Sequence, residues 1–224
     1  MNKSVLVLNP NSTVAVTDGI DQALHPLRMT GGPTIDCETL TAGPPAIETR
    51  EHVETVIDPM CEHFEASSAD AFVIACYSDP GLDAARQRLD KPVFGIAESG
   101  MLVAMSRGQR FGVISVLQQA VERHLQYVDK LGLSARLAAD LPVGLGVLEL
   151  ADKTKAWPRL QQVGSALRDQ HAADSILLGC AGMAPYRERL QSTLGIPVID
   201  PTQAAVTLAI GAVSLIVETS ALPA

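Results

Sequence analysis

Residues 69–76 read ADAFVIAC, and residues 173–180 read ADSILLGC. Each is a short apolar run that opens on Ala-Asp and ends on a cysteine. Cys76 and Cys180 fall in register at an offset of 104. The segments downstream of the two cysteines repeat as well: KPVFGIAES from Lys91 lies over IPVIDPTQA from Ile196, with Pro92 and Pro197 offset by 105. VLVLN from Val5 and FGVIS from Phe111 pair at a similar spacing. A period this long is no solenoid unit. It predicts two similar α/β domains related by a pseudo-twofold axis, with the active site in the cleft between them.

Working outward, apolar runs alternate with amphipathic stretches. Val5–Pro10, Thr34–Leu40, Ala71–Cys76 and Pro92–Glu98 read as strands in the first half. In the second half Phe111–Ser115 and Ser175–Cys180 do so, another run starts at Pro197, and VGLGVLEL (143–150) reads as either strand or loop. In Thr34–Leu40 the alternation puts Ile35, Cys37 and Thr39 on one face. Most of the runs are continuously apolar, the mark of parallel strands covered by helices on both faces. Ser12 is positioned to cap a helix over Thr13–Leu24. Val53, Val56, Ile57, Met60, Cys61 and Phe64 share one helical face, and Val121, Leu125 and Val128 another. The predicted domains are residues 1–97 with 203–224, and residues 98–202. The helix from about Thr202 is expected to return to the first domain.

Bulk properties restrict the function. The chain has 224 residues, enough to bury a sizeable core. A net charge of −8 argues against nucleic acid and anionic membranes as partners, and aromatics are only 4% of residues, too few for base or sugar stacking. The apolar stretch Ala204–Val217 is too short to span a bilayer. MNKSVLVLNP does not read as a signal peptide. The expectation is a cytoplasmic protein with reduced thiols, so its four cysteines are chemical or core residues rather than disulfides. No histidine has metal-ligand spacing to a cysteine, so no metal is expected. GxGxxG and Walker A patterns are absent.

Ligands of open parallel sheets bind beyond the carboxyl ends of the strands, where Cys76 and Cys180 both lie. Pro80 and Pro185 read as the first residues of the helices after the cysteines, whose N-termini would lower the thiol pKa. A buried cysteine can also be simple filler. A matched pair facing one cleft suits racemisation: a thiolate removes a proton from one face of a carbon, and a thiol delivers one to the other. Cys37 and Cys61 have no such match and read as core.

These segments, taken in order, resemble the hydantoin and allantoin racemases of the aspartate/glutamate racemase superfamily. The likeness rests on NPNST (9–13), GPPAIE (43–48), ACYSDPGLDAAR (75–86), LGCAGM (178–183) and GIPVIDPTQAAV (195–206). It implies that Cys76 and Cys180 form the acid/base pair, with no metal, no pyridoxal and no other cofactor. It also implies a small-molecule substrate and a homo-oligomer. An amino-acid racemase or a maleate-type isomerase is the alternative within the superfamily. The superfamily's decarboxylases keep a single cysteine, against the pair here, and two lobes around a cleft also describe a ligand-binding protein. Backbone donors for the substrate oxygen are expected at Tyr77, Ser78, Ala181 and Gly182, and in the proline loop at Ala46 and Ile47. Asn11 is a candidate for a ring amide, and the Ser78 hydroxyl for support. Glu48 reads as a helix cap. Ser115 occupies the strand end equivalent to Asn9, where relatives often carry threonines.

Overall fold

The computed structural model describes residues 3–215. The end of the apolar stretch, residues 216–217, and the rest of the predicted first domain to 224 lie outside them. The first sheet contains β1 (Ser4–Asn9), β2 (Thr34–Thr39), β3 (Ala71–Ile74) and β4 (Val93–Gly95), in the order β2-β1-β3-β4. The second contains β5 (Phe111–Ser115), β6 (Leu137–Pro142), β7 (Ser175–Leu178) and β8 (Val198–Ile199), in the order β6-β5-β7-β8. Every pairing is parallel. The sequence repeat is thus a repeat of topology. Central strands β1, β3, β5 and β7 are buried along almost their whole length, as two-sided helix cover requires.

The helices are α1 (Val14–Leu24), α2 (Arg50–Thr55), α3 (Ile57–Glu65), α4 (Leu82–Arg88), α5 (Ile96–Arg107), α6 (Gln118–Lys130), α7 (Lys153–Asp169), α8 (Arg187–Leu194) and α9 (Pro201–Leu215). Helix α5 packs on β5, β7 and β8; α9 packs on β1, β3 and β4, and the two helices touch each other. Ala205, Val206, Ala209 and Val213 of α9 join the core of the first sheet.

Several local expectations need correction. One of the two edge strands of the second sheet, β6, lies just before VGLGVLEL, which is loop and runs into the 3-10 turn Leu148–Ala151. Being an edge strand, β6 is half-exposed and carries Asp140 and Pro142, so it lacks an apolar run. The α1 cap is Thr13, not Ser12, and its turn is fixed when Asn11 Oδ1 accepts the Thr13 N–H at 2.9 Å. The apolar face from Val53 to Phe64 spans two helices. They part at Val56 because Pro59 has no N–H to give to Thr55. Leu125 is exposed, and His124 takes the inward position on α6. Neither Pro80 nor Pro185 opens a helix. Asp79 has φ of 41° and Gly81 φ of 63°, so the chain turns twice in the left-handed region before α4 starts. Pro185 lies inside a 3-10 turn, Ala181–Tyr186.

Candidate active site

The carboxyl ends of β3 and β7 deliver Cys76 and Cys180 to the same pocket. Asn11, Ile47, Tyr77, Ser78, Ala181 and Gly182 also line it. Ala46 does not; it packs against the core of the second sheet. Ser115 is fully buried behind the wall, where it bonds Asp140 and meets His124 Nδ1 at 2.9 Å.

Asn11 is held by its own loop. Its Oδ1 accepts from Asn9 Nδ2 at 3.1 Å as well as from Thr13, and Asn9 Nδ2 also reaches Thr17 Oγ1 at 3.0 Å. The Asn11 Nδ2 group has no partner among the described residues. The proline loop lies against this turn: Ser12 N–H donates to the Pro44 carbonyl at 2.9 Å, and the Thr13 hydroxyl to Pro45 O at 2.7 Å. Gly43 makes that approach possible, because a Cβ there would collide with the Pro10 carbonyl oxygen.

Three polar side chains of the wall escape the expected set. Arg123 and His124 lie on α6, which has no motif to betray them. Arg123 donates from Nη2 to Glu48 O and from Nη1 to Gln119 O, both at 3.1 Å. No carboxylate pairs with it among the described residues. His124 stands edge-on to Tyr77, ring centroids 4.9 Å apart, and its Nδ1 meets Asp140 Oδ2 at 2.9 Å. Ser115 and Asp140 thus share one ring nitrogen. A serine nucleophile relay needs them on opposite nitrogens, and a buried serine reaches no substrate. The third is Glu48, which does not cap α2, a role taken by Thr49. Its Oε1 accepts the Val147 N–H at 2.8 Å instead, joining the proline loop to the second half of the chain.

The surroundings of the thiols do not activate them. Burial pushes Cys76 up to about 11, and the Ser78 N–H and hydroxyl and the Arg123 charge only partly oppose it. Burial likewise pushes Cys180 up to about 12; the Gly182 N–H opposes it, while Cys76, Glu48 and Asp200 add to it. Desolvation therefore outweighs the backbone donors, contrary to the expectation of lowered thiol pKa values. Below these values the thiolate fraction grows tenfold per pH unit. Iodoacetamide should accordingly label both thiols about ten times faster at pH 9 than at pH 8. Cys76 should react first, since it is half-buried and beside Arg123, whereas Cys180 is 9% exposed. Mass-spectrometric mapping checks this; a rate that levels off near pH 7 would mean low-pKa thiols.

Among the described residues no cluster of three or more His, Cys, Asp or Glu could hold a metal ion. No helix among them is long and apolar enough to cross a membrane.

Residues 5–209 match the family described as Asp/Glu/Hydantoin racemase. A hydantoin racemase of Pseudomonas sp. (strain NS671) is 37% identical over 97% of this chain and 89% of its own length. One from Paenarthrobacter aurescens is 35% identical over 96% and 93%. The structure of an allantoin racemase from Klebsiella pneumoniae superposes with a TM-score of 0.90 at 30% identity, covering 96% of this chain and 89% of that one.

Proposed function

Because the chain belongs to the Asp/Glu/hydantoin racemase family, we propose that it racemises a five-membered cyclic ureide, a 5-substituted hydantoin or allantoin, without a cofactor. The observation that carries this reading is the meeting of Cys76 and Cys180, from equivalent strand ends, in one pocket. The ureide C5–H is acidified by the neighbouring C4 carbonyl. One cysteine, as thiolate, takes this proton, and the electron pair moves onto the C4 oxygen. Backbone N–H groups after the cysteines and the Asn11 amide are the donors offered to that oxygen. The other cysteine, as thiol, gives its proton to the opposite face of C5. Turnover leaves the two thiols with exchanged roles, ready for the reverse reaction.

The high thiol pKa values suit this chemistry. A thiolate formed in a dry site is a strong base toward a weak carbon acid, at the cost of being scarce. The Arg123 guanidinium favours the thiolate at Cys76. The same unpaired guanidinium supports the second reading, an amino-acid racemase or maleate-type isomerase with a carboxylate substrate.

Polarimetry on single enantiomers of 5-methylhydantoin and allantoin, run beside L-glutamate, L-aspartate and maleate, tests the assignment. Loss of optical rotation with at least one ureide is expected. Turnover of the acids with inert ureides would replace the first reading by the second.

A further inference from the structure

A second cavity adjoins the thiol pocket between α1 and the two 3-10 turns Leu148–Ala151 and Ala181–Tyr186. The two cavities share Val16, Val147, Ala181 and Gly182 in their walls. The second is walled mainly by carbon: Ala15, Val16, Val147, Leu148 and Leu150, with the Tyr186 ring. Both of its hydroxyl groups are already used. The Tyr186 hydroxyl donates to Leu150 O at 2.5 Å, and the Thr13 hydroxyl is bound to Pro45 O. Lys153, the charged residue of this wall, is solvent-exposed.

We propose that this cavity is the subsite for the C5 substituent, and that the substituent it takes is aliphatic rather than a ureido group. The proposal rests on the racemase reading above and deepens it. A ureide ring presents N–H and C=O groups around its edge. The thiol pocket answers them with Asn11, Glu48, Arg123 and backbone donors, which leaves the substituent to find space elsewhere. The adjoining cavity offers that space and shares a wall with Cys180's own loop. A ureido group placed there would give up water for a wall that is mostly carbon, and each polar group left unpaired weakens binding about tenfold or more. An alkyl group loses no hydrogen bond and gains about fourfold per methylene buried.

Two residues of α1 allow a clean test. Ala15 and Gly19 are one helical turn apart, both line the cavity, and a Cβ on Gly19 meets nothing within 4 Å. Leucine is also a better helix residue than glycine, so Gly19→Leu should fold. The experiment measures kcat/KM for racemisation of 5-isobutylhydantoin, 5-methylhydantoin and allantoin, using wild type, Gly19→Leu and Ala15→Leu, with folding checked by thermal melting. Wild type should prefer 5-isobutylhydantoin to 5-methylhydantoin about ten- to fiftyfold, and to allantoin by more. Each leucine variant should cut the isobutyl-to-methyl ratio at least about fivefold. A ratio that both folded variants leave unmoved, or a wild-type preference for allantoin, overturns the subsite while leaving the racemase reading intact. Absence of racemisation with all three ureides overturns both.

Discussion

Cys76→Ser and Cys180→Ser should each lower the racemisation rate by at least about a thousandfold, the upper part of the range for a positioned acid or base. The substitution is nearly isosteric, but a hydroxyl is a far weaker acid than a thiol and supplies neither the base nor the proton. The two variants should differ in what survives. In each, the remaining thiol still faces one side of C5, so solvent exchange should persist for the enantiomer whose C5–H points to it. Deuterium uptake measured by NMR for each enantiomer separately identifies the face each cysteine serves. Normal racemisation by both single variants would remove the cysteines from the mechanism. Melting temperatures of the variants guard against misreading a folding defect. Neither sulfur has a disulfide to lose, since both cysteines are free.

The second large effect is on stability. The Asp79 carboxylate sits 6% exposed and accepts the N–H groups of Ala97 and Glu98, both at 2.9 Å, and the Tyr127 hydroxyl at 3.2 Å. It caps α5, the helix that carries the chain from one sheet to the other, and Tyr127 ties it to α6. Asp79→Ala orphans all three donors at once. A loss of about 2–4 kcal/mol is expected from denaturant titration. Burial pushes the carboxyl up to about 7, against the backbone donors that pull it down. The folded state then holds this proton more tightly than the unfolded chain does. The resulting stability is fully present below the ordinary carboxyl value near 4 and is lost as pH rises through about 7. The penalty of Asp79→Ala should therefore be larger at pH 5 than at pH 8, by on the order of 2 kcal/mol. Equal penalties at both pH values would place the carboxyl at its ordinary value.

The position of Asp79 also shows where sequence reading stops. From the sequence, Asp79-Pro80 looks like the start of the helix after Cys76. The carboxylate instead reaches 18 residues along the chain to a different helix, because two left-handed turns delay α4. Nothing local encodes that distance. The four buried strands are legible because apolar runs of their length ending at loops have few other uses. Strand β6 is hidden because an edge strand need not be apolar. The cysteine pair is legible because the chain repeats it. Arg123 and His124 are not, since the other half of the chain does not repeat them and their inward direction depends on how α6 settles on β5 and β6. Glu48 illustrates the same limit. Its position before a helix suggests a cap, whereas its partner at Val147 lies 99 residues away.

The central claim is that two different groups handle the proton on the two faces of C5. The most direct measurement tracks one enantiomer of 5-isobutylhydantoin in D2O at early conversion, with chiral separation and mass spectrometry of both enantiomers. The account predicts that the newly formed enantiomer carries deuterium at C5 almost completely, while the recovered starting enantiomer still carries its original hydrogen. A single base that removes and returns the same proton would leave much of that hydrogen in the product, and this result would contradict the two-thiol mechanism.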